Sequence, residues 1–287
     1  MKNSFISTLL ISFLFFATNL SSEEESYDFK EFNETLSLTR GTVSPAYTES
    51  YYLENNDACR FAKNYWGWED ENCPAIDSFL VNTSPDIDTI VIEVASSDGY
   101  VKYDDWESND RDQYIQELWE GLNETYAVQG KNLNVNFKVV RWLVSPTFNK
   151  EKNYIYYAYL LDQDGTKSVQ LAASILDRKG YIKFLVIPIN LTSSSLDGEF
   201  KETIESALNL YTPNQSNSHA DYTIGDKVSD YGIFGVFAAL SGIKWGKAVA
   251  SGILATFLIF AKKLWWVILL PLYTLVRRFF KKSNNDR

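Results

Sequence analysis

Residues 154–189 read YIYYAYLLDQDGTKSVQLAASILDRKGYIKFLVIPI. Tyr154–Leu161, Lys167–Leu176 and Tyr181–Ile189 are aromatic and β-branched runs of strand length. Their separators, Asp164-Gly165 and Lys179-Gly180, are dipeptides that accept the positive φ of tight turns, which argues for antiparallel hairpins in a meander. Upstream, Leu133–Val144 reads as a further strand. Asp88–Ala95 alternates apolar and polar residues as a half-buried strand does, and Asp98-Gly99 follows as a turn signal. The period changes between them. Tyr114, Leu118, Leu122 and Tyr126, joined by Ile115 and Trp119, recur at i, i+4, so 110–127 is expected to be an amphipathic helix. A second stripe, Leu196, Phe200, Ile204 and Leu208, predicts another helix, capped by Ser194 or Ser195. Strands and helices grouped in this way give an α+β fold, a largely antiparallel sheet with helices on one face. Residues 211–230 hold Pro213, Asn214, Ser216, Asn217 and Ser218 and read as a polar linker toward a membrane.

Charge divides the chain. Residues 23–243 carry 17 basic and 36 acidic side chains, a net −19, and residues 244–287 carry nine basic and one acidic, a net +8. A region at −19 will not grip nucleic acid, whose phosphates must be met by Lys and Arg. The chain has one histidine, His219. A histidine-rich metal cluster is therefore excluded, no cofactor is indicated, and His219 itself, set among polar residues, reads as a surface residue.

The two ends read as targeting and anchoring segments. Residues 1–22, with Lys2 and an apolar run from Phe5 to Ala17, resemble a signal peptide too short to span a bilayer comfortably. An exported domain, residues 23–225, would follow. Within it Cys59 and Cys73 are the two cysteines of the chain, and so close an even pair in an exported domain reads as a disulfide. The loop between them holds Tyr65-Trp66-Gly67-Trp68, a small satellite core or a stacking platform for glycans.

Residues 226–247 read as a juxtamembrane segment, 248–270 as a transmembrane anchor and 271–287 as a basic cytoplasmic tail. At about 100° per residue, Lys244, Lys247, Lys262 and Lys263 share one helical face, open either to snorkelling toward headgroups or to self-association into a homo-oligomer. Arg277, Arg278, Lys281 and Lys282 follow the span and place the C-terminus in the cytoplasm. The expectation is a type I single-pass protein of the cytoplasmic (inner) membrane, with its acidic domain in the periplasm and the lipid bilayer as a partner.

Around Trp106 stands an acidic constellation, Asp104, Asp105 and Glu107 with Asp110 and Asp112. Carboxylates so grouped could do acid/base work or hold Ca²⁺. Lacking EF-hand spacing and immediately preceding a helix, they read better as a solvated N-terminal cap. G-x-S-x-G, S-x-x-K, H-E-x-x-H and Walker A motifs do not occur, and no catalytic residue is nominated.

Four further stretches, in order, carry a resemblance. Gly99-Tyr100-Val101-Lys102-Tyr103-Asp104-Asp105-Trp106 comes first. Val140-Arg141-Trp142-Leu143-Val144-Ser145-Pro146-Thr147-Phe148 follows, running into Asn153–Leu161. Leu176-Asp177-Arg178-Lys179-Gly180-Tyr181 is third, and Asp226-Lys227 with Tyr231-Gly232-Ile233 is last. Over about residues 38 to 276 the chain resembles the bacterial family of predicted membrane-anchored proteins called domain of unknown function 2167. The resemblance implies an exported, membrane-anchored protein and no substrate. The chain departs from the family in its Cys59–Cys73 loop and in Arg141, where a glycine is usual. Gly99 and Gly180 suit turns, Pro146 a strand end and Trp142 the core. The functional expectation is an envelope protein whose exported domain binds an envelope component, a protein or a glycan. Two alternatives stay open: a carboxylate-dependent enzyme on cell-wall glycans, and an oligomeric membrane-acting protein working through its lysine-bearing C-terminal helix.

Overall fold

A computed structural model describes residues 26–66, 73, 75–189 and 200–243. The signal segment 1–22, the Gly67–Trp68 part of the aromatic loop, the Ser194/Ser195 cap, the lysine face, the span 248–270 and the basic tail all lie outside the described residues. Among the described residues no helix is long and apolar enough to cross a membrane.

The meander forms as its turn chemistry dictates. Strands β8 (Phe137–Asn149), β9 (Tyr154–Gln163), β10 (Thr166–Asp177) and β11 (Gly180–Pro188) follow one another in antiparallel pairs. Asp164 and Gly165 both take positive φ, 49° and 90°, which is the hairpin geometry their sequence predicts. Strand β11 then pairs with β6 (Ile87–Glu93). The sheet continues through β5 (Ile76–Ser84), β4 (Tyr51–Leu53) and β1 (Lys30–Glu31), in the order β1-β4-β5-β6-β11-β10-β9-β8. Every pairing in it is antiparallel, so the α+β class holds. Pro146 does not end β8 but lies inside it, where the register shifts between Val144 and Thr147. β8 is the outermost strand, where a missing N–H is tolerated.

Helices cover both faces, not one. Helices α1 (Asn55–Trp66), α2 (Arg111–Leu133) and α4 (Ile233–Leu240) pack on the face that carries Ile155, Tyr157, Tyr159, Tyr181 and Leu185. On the other face, α3 (Phe200–Leu208) buries Phe200, Ile204, Ala207 and Leu208 against Tyr156, Ala158, Leu171, Ile182 and Phe184. A small sheet of β12 (Tyr211–Pro213), β3 (Gly41–Val43) and β2 (Leu36–Ser37) completes that layer through Val43 and Tyr211. The physical reason is visible in β9. Tyr154 through Leu161 are all buried, and a strand apolar on both sides requires a layer on each.

Other boundaries move for local reasons. Helix α2 runs past Gly130 to Leu133, and Asn134, in the left-handed region at φ 55°, ends it by donating to the Gly130 carbonyl. Gly130 is needed because the returning chain presses on it: a Cβ there would lie 2.5 Å from the Val135 carbonyl oxygen. Cys59 of α1 and Cys73 form the disulfide, with Cα atoms 5.1 Å apart, and so tie α1 to the approach to β5.

Candidate site at the junction of the four stretches

The four stretches meet at one end of the sheet, around β7 (Tyr100–Lys102) and β13 (Val228–Gly232), which pair in parallel. Gly99 makes this crossing. Its φ is 114°, and a Cβ there would lie 2.8 Å from the Val228 backbone carbon. The Gly99 N–H donates to the Lys179 carbonyl at 2.9 Å and the Tyr100 N–H to the Lys227 carbonyl at 2.8 Å. Residues 211–232 are therefore built into the domain rather than forming a polar linker, and 226–243 continue it through α4. The segment is polar and largely exposed, yet buried His219 and the paired Asp226 fasten it to the domain.

His219 is the clearest correction. It is 5% exposed, its ring stacks on Tyr100 at 4.2 Å between centroids, and Nε2 lies 2.9 Å from the Val101 carbonyl oxygen. Burial pushes its pKa down, and the bond to Val101 opposes that only in part. On the far side Tyr222 also lies 4.2 Å from Tyr100. The 3₁₀ turn His219–Asp221 is held by a capping box in which Ser218 and Asp221 exchange hydrogen bonds.

One ion pair fastens the segment, and a second holds Asp177, whose backbone bridges to Ser218. Arg178 donates through Nε and Nη2 to both oxygens of Asp226, at 2.7 and 2.8 Å, and through Nη2 to Thr223. The guanidinium holds the Asp226 carboxyl well below the usual carboxylate range. Arg40 and Asp177 form a second pair, 8% and 1% exposed, with Nε 3.1 Å from Oδ2. Arg40 also donates to the Ser96 carbonyl, and Asp177 accepts from the Lys179 N–H at 2.8 Å. Burial raises the Asp177 pKa, and the Arg40 charge pulls against it. Nearby, Tyr231 donates to Asp98, which also accepts from Ser96 Oγ at 2.5 Å.

The acidic constellation comes apart in space. Asp104 is exposed. Asp105 turns inward and accepts from the Ile233 and Phe234 N–H groups at 2.9 and 3.0 Å, capping α4. Its pKa is raised by burial, which outweighs those backbone hydrogen bonds. Glu107 pairs with Lys150 at 2.6 Å. Asp110 does stand at the N-cap of α2, but its side chain makes no capping hydrogen bond. Asp110 and Asp112 thus stand at the N-terminus of α2 as expected, whereas Asp105 caps α4 instead. Among the described residues no group of three His, Cys, Asp or Glu side chains is placed to share a metal ion.

Beside this junction lies a shallow groove of about 470 Å³, bounded by Trp106, Glu107, Asn109, Arg111, Phe148 and Lys150. Trp106 packs on Phe234 and Phe237 at 5.5 and 5.8 Å, with Phe148 edge-on at 6.3 Å. Arg111 lies over the indole at 5.6 Å, and Lys150 over the Tyr103 ring at 4.4 Å. Sequence reasoning missed Arg111, Phe148 and Lys150 as neighbours of Trp106, and also the structural pair Arg40 and Asp177. Of these, only Phe148 and Asp177 lie in the four stretches; Arg40, Arg111 and Lys150 carry no signal in the sequence that places them here.

A family model described as protein of unknown function (DUF2167) matches residues 34–273. No curated protein and no solved structure matched the chain.

Proposed function

This chain belongs to the DUF2167 family of proteins of unknown function, and we propose that it is a membrane-anchored envelope protein whose exported domain binds an envelope component. Export is supported by the signal-like residues 1–22 and by the Cys59–Cys73 disulfide, a bond that persists in oxidising compartments. Anchoring is supported by the apolar stretch 248–270 and the basic residues that follow it, Arg277, Arg278, Lys281 and Lys282.

One observation carries the binding reading. Around β7 the carboxylates of Asp98, Asp105 and Asp226 are bonded to the fold itself. A general acid or base needs instead to face the reacting group. Next to them the Trp106 groove presents charged groups that are about half exposed on an aromatic wall: Arg111 at 50%, Lys150 at 56% and Glu107 at 54%. Half-exposed charges beside an aromatic wall support a binding role over a catalytic one.

The test separates domain from tail. A chain in which residues 244–287 are replaced by an unrelated membrane span is expected, once solubilised in detergent, to co-sediment with detergent-extracted envelope material as the intact chain does. Loss of that association in the re-anchored chain would move the activity to the lysine-bearing tail. For topology, alkaline phosphatase fused after residue 243 is expected to be active and fused after residue 287 inactive; the reverse pattern would overturn the orientation.

A further inference from the structure

We propose that the Trp106 groove is a saccharide site, taking a neutral, polyhydroxylated sugar ring against the indole; this rests on the reading that the domain binds an envelope component. A pyranose ring has an apolar C–H face and a rim of hydroxyls that both donate and accept. The groove offers a counterpart to each. Trp106 is held from behind by Phe234 and Phe237, and Phe148 meets it edge-on, so the indole is a fixed platform and not a free rotor. What lies over it is the Arg111 guanidinium at 5.6 Å, on a side chain 50% exposed. A cation–π contact at so exposed a site is weak and exchangeable. The guanidinium also faces Asp112 at 3.7 Å, an exposed pair; a sugar face can take its place over the indole while it turns to donate to a hydroxyl.

The rim matches hydroxyl chemistry. Glu107 and Lys150 set an acceptor and a donor 2.6 Å apart at the groove's edge, each about half exposed. An exposed pair of this kind contributes little to stability and can re-form around a ligand. Asn109 adds an amide with both functions.

Charge narrows the ligand class. Arg111 and Lys150 balance Glu107 and Asp112 in the lining, and the groove sits on a region of net −19. A polyanion would be repelled by the surrounding field. A lipid chain or an apolar peptide would desolvate the charged rim without pairing it. A neutral saccharide meets neither penalty.

The test uses the full chain, purified in lauryldimethylamine oxide, whose head group is not a sugar. Chitotriose, maltotriose and a heparin hexasaccharide are titrated by calorimetry and by tryptophan fluorescence. Saturable binding of chitotriose or maltotriose, with a fluorescence change, is expected. Lys150→Ala and Arg111→Ala should each weaken it by roughly tenfold, the size of one lost charge-assisted hydrogen bond. Trp106→Phe, which keeps an aromatic ring in the packing, should weaken it as well, with circular dichroism checking the fold. Lys183→Ala, whose partner Glu93 lies outside the groove, should leave it unchanged. The proposal is overturned if neither neutral sugar binds, if heparin binds tighter, or if the groove variants bind like the wild type. Failure here with envelope co-sedimentation intact overturns the saccharide inference alone. Loss of both overturns the binding reading too.

Discussion

Asp105 occupies the space that a side chain at Gly232 would need: a Cβ at position 232 would lie 2.4 Å from Asp105 Oδ1. The φ of Gly232 is −97°, so the requirement is one of room and not of backbone freedom. The carboxylate reaches the first N–H groups of α4 because nothing projects from the residue in front of them.

Gly232→Ala should therefore act like loss of the cap. Both Gly232→Ala and Asp105→Ala are expected to lower stability by about 0.5–2 kcal/mol, the range for removing a helix N-cap. Together they should cost less than the sum, because they break the same contact. Urea unfolding of the two single variants and the double variant checks this, and full additivity would refute the shared cause.

The Arg40–Asp177 pair makes an asymmetric prediction. Removing one partner leaves a buried charge, so Arg40→Met and Asp177→Leu should each cost about 3–5 kcal/mol. The double variant, with both charges replaced by apolar groups, should recover much of the loss. Unfolding midpoints of the three proteins decide it. A double variant as unstable as the sum of the singles would show that the hydrogen bonds to Ser96 and Lys179 matter more than the charges.

His219 predicts a pH dependence with a definite sign. Its folded pKa is lowered by burial, so the unfolded chain takes up a proton first as the pH falls. Stability is then fully present above the unfolded pKa of about 6.5 and declines below it, by at most about 1.4 kcal/mol per pH unit, until the folded value is reached. His219→Phe keeps a ring beside Tyr100 and should remove this part of the slope while losing the hydrogen bond to Val101. Chemical unfolding of both proteins between pH 8 and pH 5, on the order of the His range, supplies the difference. Parallel curves would mean that His219 titrates freely in the folded protein.

The disulfide predicts a redox dependence. Cys59 and Cys73 are 14 residues apart, and closing a loop of that size contributes about 3 kcal/mol in the chain-entropy model. Cys59→Ser with Cys73→Ser is expected to lower stability by up to that amount, and dithiothreitol should do the same to the wild type but nothing to the double variant. Unfolding with and without reductant measures it.

Most of the large sheet was legible because its information is local. The turn at Asp164-Gly165 needs only its own two residues, and the stripe Leu118 to Leu122 needs only one helix. Strand β5 was missed for a related reason: Ile76–Ser84 has no clean alternation, since Phe79, Leu80 and Val81 are buried in succession. The C-terminal half of the junction was misread as a linker because composition cannot tell a solvated polar residue from a bonded one. His219 bonds to a carbonyl 118 residues away in sequence, and Asp105 finds its helix 128 residues away. No window of sequence holds both partners.

What the sequence determined by itself was therefore the set of local elements, the pairing of Cys59 with Cys73, and the split between a −19 region and a +8 tail. Periodicity, turn dipeptides and charge are properties of neighbouring residues, and they survive without a fold. The tertiary structure alone decided that helices cover both faces of the sheet, that Asp105 caps α4 in place of α2, and that Trp106, Arg111 and Lys150 line one groove. Those facts depend on which distant surfaces exclude water from each other. That is a property of packing and not of any single stretch of the chain.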